Sequence, residues 1–268
     1  YTDNFTAINE NNSESLFEVQ YAYGIQAGNE LGCNRAKFMG LPVDGCSWDD
    51  STPRTALKGD FEQEKTTDGK VDPRLIATLA FYDASTPDEK FYGKTWTQWG
   101  LDQNNIYWRK YTNWDTQTYE DYNSGINFRV VRLADIYLLY AEALNEYDPG
   151  NADIAIYASK TRGRNGVNMP PFPSTLSQTE MREKIRNERR VELAFEDHRM
   201  WDVRRWMTAE RDLNEPLYGV EITPGLISMK YEKIEVEKRV FEKKMYFYPI
   251  PQTMLSTEGV DWPQNPLW

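Results

Sequence analysis

Apolar residues alternate along some stretches of the chain and recur at helical spacing along others. Leu16–Gly24 alternates between apolar and polar residues, which predicts a half-buried strand. Residues 128–146 carry apolar side chains around most of the helical circumference, which predicts a central, buried helix. A second helix is expected over 152–162, because Asn151 can cap its first turn and Gly163 follows its last. Two helices joined by a short turn form a helical hairpin.

Further elements are predicted on both sides of this hairpin. Ser177 and Glu180 have the spacing of a capping box, which indicates the start of a long helix rich in Arg and Glu. Residues 226–248 alternate again and predict a β-hairpin, and a short terminal helix is expected after it. A short helix is expected over 55–63, whereas 32–54 has the Gly, Pro, Asp and Ser content of a long loop.

Composition and charge limit the class of protein. The chain has 268 residues, of which 40% are hydrophobic and 27% charged, as in globular proteins. We expect residues 1–268 to form one compact unit, mainly α-helical with long loops and a minor β component. The net charge of -11 disfavours nucleic acid as a partner. No apolar run reaches the roughly 20 residues that span a bilayer.

The sequence lacks the common motifs for cofactors, metals and nucleophilic catalysis. No glycine-rich nucleotide motif or nucleophile elbow is present, so no cofactor is expected. His198 is the only histidine and no C-x-x-C spacing occurs, so no metal site is expected. Cys33 and Cys46 are compatible with a disulfide in an oxidising compartment or with two free thiols.

Residues 185–206 have an unusual charge pattern. From Arg186 to Arg205 the chain carries six Arg and five acidic residues and no Lys, interspersed with Val, Leu, Phe and Trp. Arg189, Glu192, Glu196 and Arg199 follow one another by three, four and three positions and would share one helical face. They predict either a partly buried Arg–carboxylate lattice or a surface stripe of ion pairs, each worth about 0–1 kcal/mol. We favour the lattice, because apolar and charged positions do not separate into two faces.

Aromatic residues are concentrated between Phe91 and Tyr122, where they make up ten of thirty-two positions and are interleaved with amides. Flat rings can cover the face of a sugar while amides and charged groups match its hydroxyls. The alternative is that these rings pack a loop-rich subdomain. The candidate ligand-binding residues, in this segment and in the loop before it, are Trp48, Asp50, Trp96, Trp99, Asn105, Arg109 and Trp114.

Several segments together resemble one protein family. They are Glu10–Ser15 with Phe17–Gln20, Asp72–Leu75, Arg132–Ala143, Thr161–Arg164, residues 185–206, Tyr248–Gln252 and Gln264–Pro266. In this order they resemble the C-terminal half of the SusD/RagB-type outer-membrane nutrient-binding lipoproteins. The chain begins at Tyr1, which agrees with its being the later part of a longer protein.

The resemblance implies an α-α superhelix with tetratricopeptide-like helix pairs. It also implies a lipid-anchored protein on the cell surface of the outer membrane, which captures oligosaccharide, or peptide in some members, without catalysing a reaction. The implied partner is a SusC-like TonB-dependent transporter, and the lipid anchor would lie in an N-terminal half that is missing from this chain. The resemblance assigns a structural role to Arg189, Glu192, Glu196, Arg199, Asp202 and Arg205.

Three other functions remain open at this point. The same architecture could bind peptides rather than glycans. A glycoside hydrolase would need two carboxyl groups about 5–9.5 Å apart, for which Asp49 with Asp50 and Asp83 with Asp88 are possible sources. A helical scaffold that binds only protein would follow if the aromatic residues were all buried.

Overall fold

The computed structural model describes residues 1–22, 25–26, 29–30, 32–43, 47–48, 50–115, 124–224, 229–257, 259 and 261–268. The chain divides into two compact units, Tyr1–Glu196 and Asp197–Trp268, where the sequence analysis expected one. Each unit has its own buried apolar cluster. Within the described part of the chain, no helix has the length and apolar character of a membrane span.

The first unit combines helices with short antiparallel strand pairs. Its helices are α1 (Arg35–Met39), α2 (Thr55–Glu62), α3 (Arg74–Thr78), α4 (Trp96–Trp99), α5 (Leu133–Tyr147), α6 (Ala152–Ala158) and α7 (Gln178–Glu192). Its strands are β1 (Ser15–Val19), β2 (Ile25–Gln26), β3 (Asn29–Glu30), β4 (Leu79–Phe81), β5 (Lys90–Phe91), β6 (Lys94–Thr95), β7 (Ile106–Trp108) and β8 (Phe128–Arg132). The antiparallel pairs are β1 with β8, β2 with β3, β4 with β7, and β5 with β6.

Helices α5, α6 and α7 pack around one apolar cluster, and their starts follow the predicted caps. The Asn151 side chain accepts a hydrogen bond from the Asp153 backbone N–H at 3.0 Å. The Ser177 hydroxyl accepts one from the Glu180 N–H at 3.3 Å, and the Glu180 carboxylate accepts one from the Ser177 N–H at 2.9 Å. The cluster consists of Ala141, Ile154, Ala155, Ala158, Phe172, Met181 and Ile185.

The predicted boundaries of three elements in this unit are wrong. The helix expected over 128–146 begins only at Leu133, because Phe128–Arg132 forms strand β8 and pairs with β1. Helix α6 ends at Ala158 rather than at Arg162. The first strand is Ser15–Val19, and the end of the predicted segment, residues 23–24, lies outside the described residues. In each case the ends differ while the type of the main element agrees.

The second unit contains α8 (Arg199–Arg205), α9 (Ala209–Leu213), β9 (Leu217–Pro224), β10 (Met229–Glu237) and α10 (Gln252–Leu255). Its core is formed by Val203, Ala209, Phe241 and Tyr246. The hairpin predicted over 226–248 is misplaced, since β9 and β10 pair antiparallel and residues 243–246 form a 3₁₀ turn. Gly219 and Pro224 lie in β9 and weaken its strand signal in the sequence. The short terminal helix is present as α10.

Candidate functional site

Ten charged side chains of the first unit form a continuous cluster, which we call the buried ion network. Its members are Glu14, Asp72, Arg74, Lys110, Arg132, Arg162, Arg164, Glu188, Glu192 and Glu196. They lie in or next to α3, β8 and α7, just before β1, and in the segments after β7 and α6. The network therefore ties together parts of the chain that are far apart in sequence.

Arg132 bonds three carboxylates of the network. Its Nε and Nη2 donate to the two carboxylate oxygens of Glu196 at 2.6 and 2.7 Å, a bidentate contact. Its Nη1 donates to Glu192 Oε1 and to Glu14 Oε1, both at 2.7 Å. On the other side, Arg74 Nη1 donates to Glu192 Oε2 at 2.8 Å. Such forked, charge-assisted bonds fix geometry as well as charge.

The remaining cations complete the coordination of the buried carboxylates. Arg162 Nη1 donates to Glu188 Oε2 at 3.0 Å. Arg164 donates to Glu14 at 2.6 Å and also pairs with Glu192. Lys110 Nζ donates to Glu196 Oε1 at 2.6 Å and to the Ala194 carbonyl at 2.8 Å. The cations of the network are therefore used to bond protein groups.

The electrostatics agree with this structural role. Burial alone would raise the pKa of Glu192, but Arg164, Arg132 and Arg74 hold it well below the usual value. Burial would likewise raise the pKa of Glu196, which Arg132 and Lys110 keep below its usual value. Burial lowers the pKa of Lys110 from 10.5 to about 8, although Glu196 acts in the opposite direction. Both carboxylates are thus ionised at neutral pH and are neutralised by protein partners.

The structure therefore contains a buried Arg–carboxylate network, but the predicted arrangement on one helical face is wrong. Helix α7 ends at Glu192, and Phe195 and Asp197 have φ values of +63° and +65° that interrupt the helix. Arg189 pairs with Asp135 of α5 at 2.8 Å rather than with a carboxylate of its own helix. In the second unit, Arg199 bonds Asp212 at 3.1 Å and Arg205 bonds Asp202 at 2.9 Å.

The aromatic segment forms a core of its own with Trp96 inside it. This core consists of Leu41, Val43, Ala80, Phe91, Tyr92, Trp96 and Tyr107. Trp96 is only 2% exposed, and its indole N–H donates to the Asp102 carbonyl at 3.2 Å. The assignment of Trp96 as a ligand platform is therefore wrong. A capping box between Thr95 and Gln98 starts α4 at Trp96 and holds this helix against the core.

Trp99 and Trp114 are half-buried against the same core. Lys94 Nζ lies 4.1 Å from the centroid of the Trp99 ring, and the Arg109 guanidinium lies 3.5 Å from that of Trp114. Arg109 also donates from Nη1 to Glu89 Oε1 at 2.8 Å. Each ring thus already has a cation against it, which stabilises its position through a cation–π contact.

The structure describes the surroundings of Asn105 and of Cys33. Asn105 is exposed, and its amide donates to the Tyr107 hydroxyl at 2.9 Å. The Cys33 backbone N–H donates to the Ser124 carbonyl at 2.8 Å. Cys46 lies outside the described residues, so the disulfide and the two free thiols both stay open.

Trp48 is the most exposed of the predicted tryptophans, at 53%, and it lies beside α1. Its backbone N–H donates to the Lys37 carbonyl at 2.8 Å, and the Asp50 N–H donates to the Phe38 carbonyl at 2.8 Å. The Phe38 and Trp48 rings meet edge to face at 5.0 Å. We call Lys37, Phe38, Trp48 and Asp50 the Trp48 surface.

The Trp48 surface combines an aromatic plane with nearby charges of both signs. Lys37 Nζ lies 5.5 Å from the Trp48 ring centroid, and the Asp50 side chain is exposed. Phe38 and Lys37 could not be recognised as part of this surface from the sequence, because no spacing indicates that α1 packs under the loop of Trp48. Asn105, Arg109, Trp99 and Trp114 belong to the aromatic core region instead. The predicted ligand residues thus lie in two local groups, the Trp48 surface and the aromatic core region.

Comparison with known proteins shows the family. The SusD family model matches residues 9–268. SusD-like protein P25 of Formosa agariphila is 39% identical over 108 residues, which cover 40% of this chain and 20% of the relative. SusD-like protein P2 of the same organism is 37% identical over 87 residues, or 31% of this chain and 17% of the relative.

Solved structures show the same fold. A SusD-like protein from Bacteroides fragilis NCTC 9343 superposes with a TM-score of 0.76 at 21% identity, covering 100% of this chain and 57% of that one. Surface glycan-binding protein A from Bacteroides fluxus gives a TM-score of 0.64 at 20% identity, covering 100% and 54%. The chain thus spans little more than half the length of these structures, and the predicted helix-rich, SusD-like fold is confirmed. The chain belongs to the SusD family.

Proposed function

We propose that this chain is part of a non-catalytic glycan-binding protein of the cell surface. It would capture oligosaccharides and pass them to a SusC-like TonB-dependent transporter of the outer membrane. Family membership supports this, as does the similarity to a structure described as a surface glycan-binding protein and to another described as a SusD-like carbohydrate binding protein.

The observation that carries the glycan assignment is the Trp48 surface. Trp48 is 53% exposed, and backbone hydrogen bonds join its segment to helix α1. It therefore offers a flat apolar plane without a large ordering cost. Burying about 50 Å² of this ring against a sugar contributes about 1 kcal/mol at ~25 cal/mol/Å². Lys37 Nζ, 5.5 Å from the ring centroid, and the exposed Asp50 side chain, two residues further along the chain, would serve hydroxyl groups beside the ring. Weak binding of this kind suits a protein that must release its ligand.

The test is calorimetry of the full-length protein against a panel of oligosaccharides, with peptides included. We expect Trp48→Ala to weaken binding of the responding glycan about fivefold or more, the equivalent of about 1 kcal/mol. Trp262→Ala is the matched control, since Trp262 is 56% exposed but belongs to the second unit. Glycan binding that is indifferent to Trp48→Ala would contradict the site, and binding only to peptides would contradict the ligand class.

The absence of catalysis is part of the same proposal. Incubation of the protein with each glycan that binds should release no new reducing ends. Hydrolysis that is lost when Asp83 or Asp88 is changed to Asn would instead assign a glycoside hydrolase.

The transporter and the lipid anchor are tested in the cell. We expect the full-length protein to fractionate with the outer membrane and to co-purify with a TonB-dependent transporter encoded beside it. Recovery of the protein without any transporter, from membranes solubilised under mild conditions, would contradict this partner.

A further inference from the structure

A cleft of about 450 Å³ opens in the first unit, apart from the residues of the Trp48 surface. It is lined by Ile76, Leu79, Phe81, Asp83, Ser85, Thr86, Pro87, Asp88, Glu89, Phe91 and Arg109, which we call the Arg109 cleft. Small-molecule sites in proteins commonly have about 300–1,000 Å³. The cleft is therefore large enough for a ligand of one or two sugar rings.

One wall of the Arg109 cleft is apolar. It is formed by Ile76 of α3, by Leu79 and Phe81 of β4, and by Phe91 of β5. Leu79 and Phe91 are buried, and the pairing of β4 with β7 holds Phe81 in place. Such a wall matches the C–H faces of a sugar ring, as flat apolar side chains do in other pockets.

The loop between β4 and β5 supplies the polar part of the lining, and it is held by its own hydrogen bonds. The Asp83 carboxylate accepts bonds from the Ser85 N–H at 2.8 Å and from the Ser85 hydroxyl at 2.7 Å. The Thr86 N–H donates to the Asp83 carbonyl and the Glu89 N–H donates to the Thr86 carbonyl, both at 3.1 Å. The Asp83 carboxylate is thus placed before a ligand arrives, which lowers the ordering cost of binding.

Arg109 lines the cleft as a buried cation. Its guanidinium lies against Trp114 and donates from Nη1 to Glu89. Its Nε is buried and has no hydrogen-bond partner in the described part of the chain. This atom has no surface open to the cleft, so the guanidinium contributes to the lining through its charge and its bond to Glu89 rather than through Nε.

The charges of the lining select against an anionic ligand. Asp83, Asp88 and Glu89 contribute three carboxylates, and Arg109 contributes one guanidinium. Lys58 adds a second cation next to the cleft, where its Nζ lies 4.3 Å from the Phe81 ring centroid. Negative charge still exceeds positive charge, and like charges placed together weaken binding. Carboxylates accept hydrogen bonds from hydroxyl groups, which a neutral sugar provides.

We propose that the Arg109 cleft is a second saccharide subsite, separate from the Trp48 surface, that takes uncharged sugar units and rejects uronates. The apolar side chains would face the ring, and Asp83 and Asp88 would accept hydrogen bonds from its hydroxyls. The ligand class rests on the proposed glycan-binding function. The place of binding follows from the cleft, and the preference for uncharged over anionic sugars follows from the charges of its lining.

The experiment measures binding to the full-length protein by saturation-transfer NMR and calorimetry. The probes are neutral mono- and disaccharides of glucose, galactose, mannose and xylose, with glucuronate and galacturonate as their anionic counterparts. Thr86→Trp fills the cleft from an exposed position. Ala84→Trp is the matched control, because Ala84 is exposed in the same loop but does not line the cleft. Ile76→Glu is a second test variant, since Ile76 is half exposed and its change should not disturb folding.

We expect Thr86→Trp and Ile76→Glu to lower the affinity for a neutral sugar at least about tenfold, the equivalent of about 1.4 kcal/mol. Ala84→Trp should leave it unchanged, and Trp48→Ala should leave a component of binding that Thr86→Trp removes. Uronates should bind at least about tenfold more weakly than their neutral counterparts.

Two outcomes overturn the subsite, and they are distinguishable from failure of the glycan-binding function. If sugars bind and Trp48→Ala removes all binding while both cleft variants bind normally, the function stands and the subsite is wrong. If uronates bind as tightly as neutral sugars and compete at the cleft, the Arg109 cleft does not select uncharged sugars and the proposal is wrong. Absence of binding by every sugar tested would refute both.

Discussion

Replacing Arg132 by Leu tests whether the buried ion network holds the first unit together. The guanidinium of Arg132 is 1% exposed and bonds Glu14, Glu192 and Glu196. Its loss would leave Glu196 with Lys110 as its remaining cation in the network, and Glu192 with Arg74 and Arg164. Both carboxylates are fully buried, so water cannot replace the lost partner.

The expected magnitude follows from burial rather than from distance. Removing one partner of a buried ion pair typically costs about 3–5 kcal/mol, because it leaves an uncompensated charge. Arg182 makes the same kind of forked contact with Glu146, at 2.6 Å for both bonds, but in partly exposed positions. An exposed pair of this kind contributes about 0–1 kcal/mol. Arg182→Leu is therefore a control that is matched in geometry and differs in exposure.

The assay is equilibrium unfolding in urea at neutral pH, followed by circular dichroism and tryptophan fluorescence. We expect Arg132→Leu to lower the free energy of unfolding by about 3–5 kcal/mol and Arg182→Leu by less than about 1 kcal/mol. Arg132→Lys should lie between them, since lysine keeps the charge but cannot form the fork. A loss below about 1 kcal/mol for Arg132→Leu, equal to that of Arg182→Leu, would refute a stabilising role for the network.

Three further changes test other parts of the reasoning. Trp96→Ala should lower the free energy of unfolding by about 3–5 kcal/mol, because it leaves a cavity in the aromatic core. In urea unfolding, a loss under about 1 kcal/mol would contradict the buried position of Trp96. Ser177→Ala should lower it by about 1 kcal/mol through loss of the α7 cap, whereas an unchanged unfolding curve would argue against the cap. The lowered pKa values of Glu192 and Glu196 imply stability that is present above about pH 4.5 and lost as the pH falls through their folded-state values. Unfolding is measured between about pH 2 and 7, roughly the range over which carboxylates titrate. The free energy of unfolding should fall less steeply with decreasing pH in Glu196→Gln than in the unchanged protein. Equal slopes would contradict the role given to Glu196.

The helical framework of the first unit was largely predictable because its signals are local. The Asn151 cap and the capping box of Ser177 and Glu180 depend only on residues within one turn, and both are present in the structure. The apolar repeat that predicted α5 is also a property of neighbouring residues. The start of α5 was missed because Phe128–Arg132 pairs with β1, more than a hundred residues away.

The candidate site was less predictable, since exposure of an aromatic ring depends on what packs against it. Trp48 and Trp96 are equivalent as residue types, yet one is exposed and the other lies in a core. Trp96 packs in a core that also contains Leu41 and Val43, which come from the segment just before Trp48. No spacing in the sequence indicates this contact.

The sequence by itself determined the family, the helix caps and the concentration of Arg and Glu, because these are properties of residue types and short spacings. Only the tertiary structure decided which charges meet. Arg74, Arg132, Arg162 and Arg164 lie in motifs that the sequence marks separately, and they converge on Glu188, Glu192 and Glu196 because α3, β8 and the segment after α6 pack against α7. Ion pairing inside a protein depends on distance and burial, and both are set by how the distant segments of the chain pack.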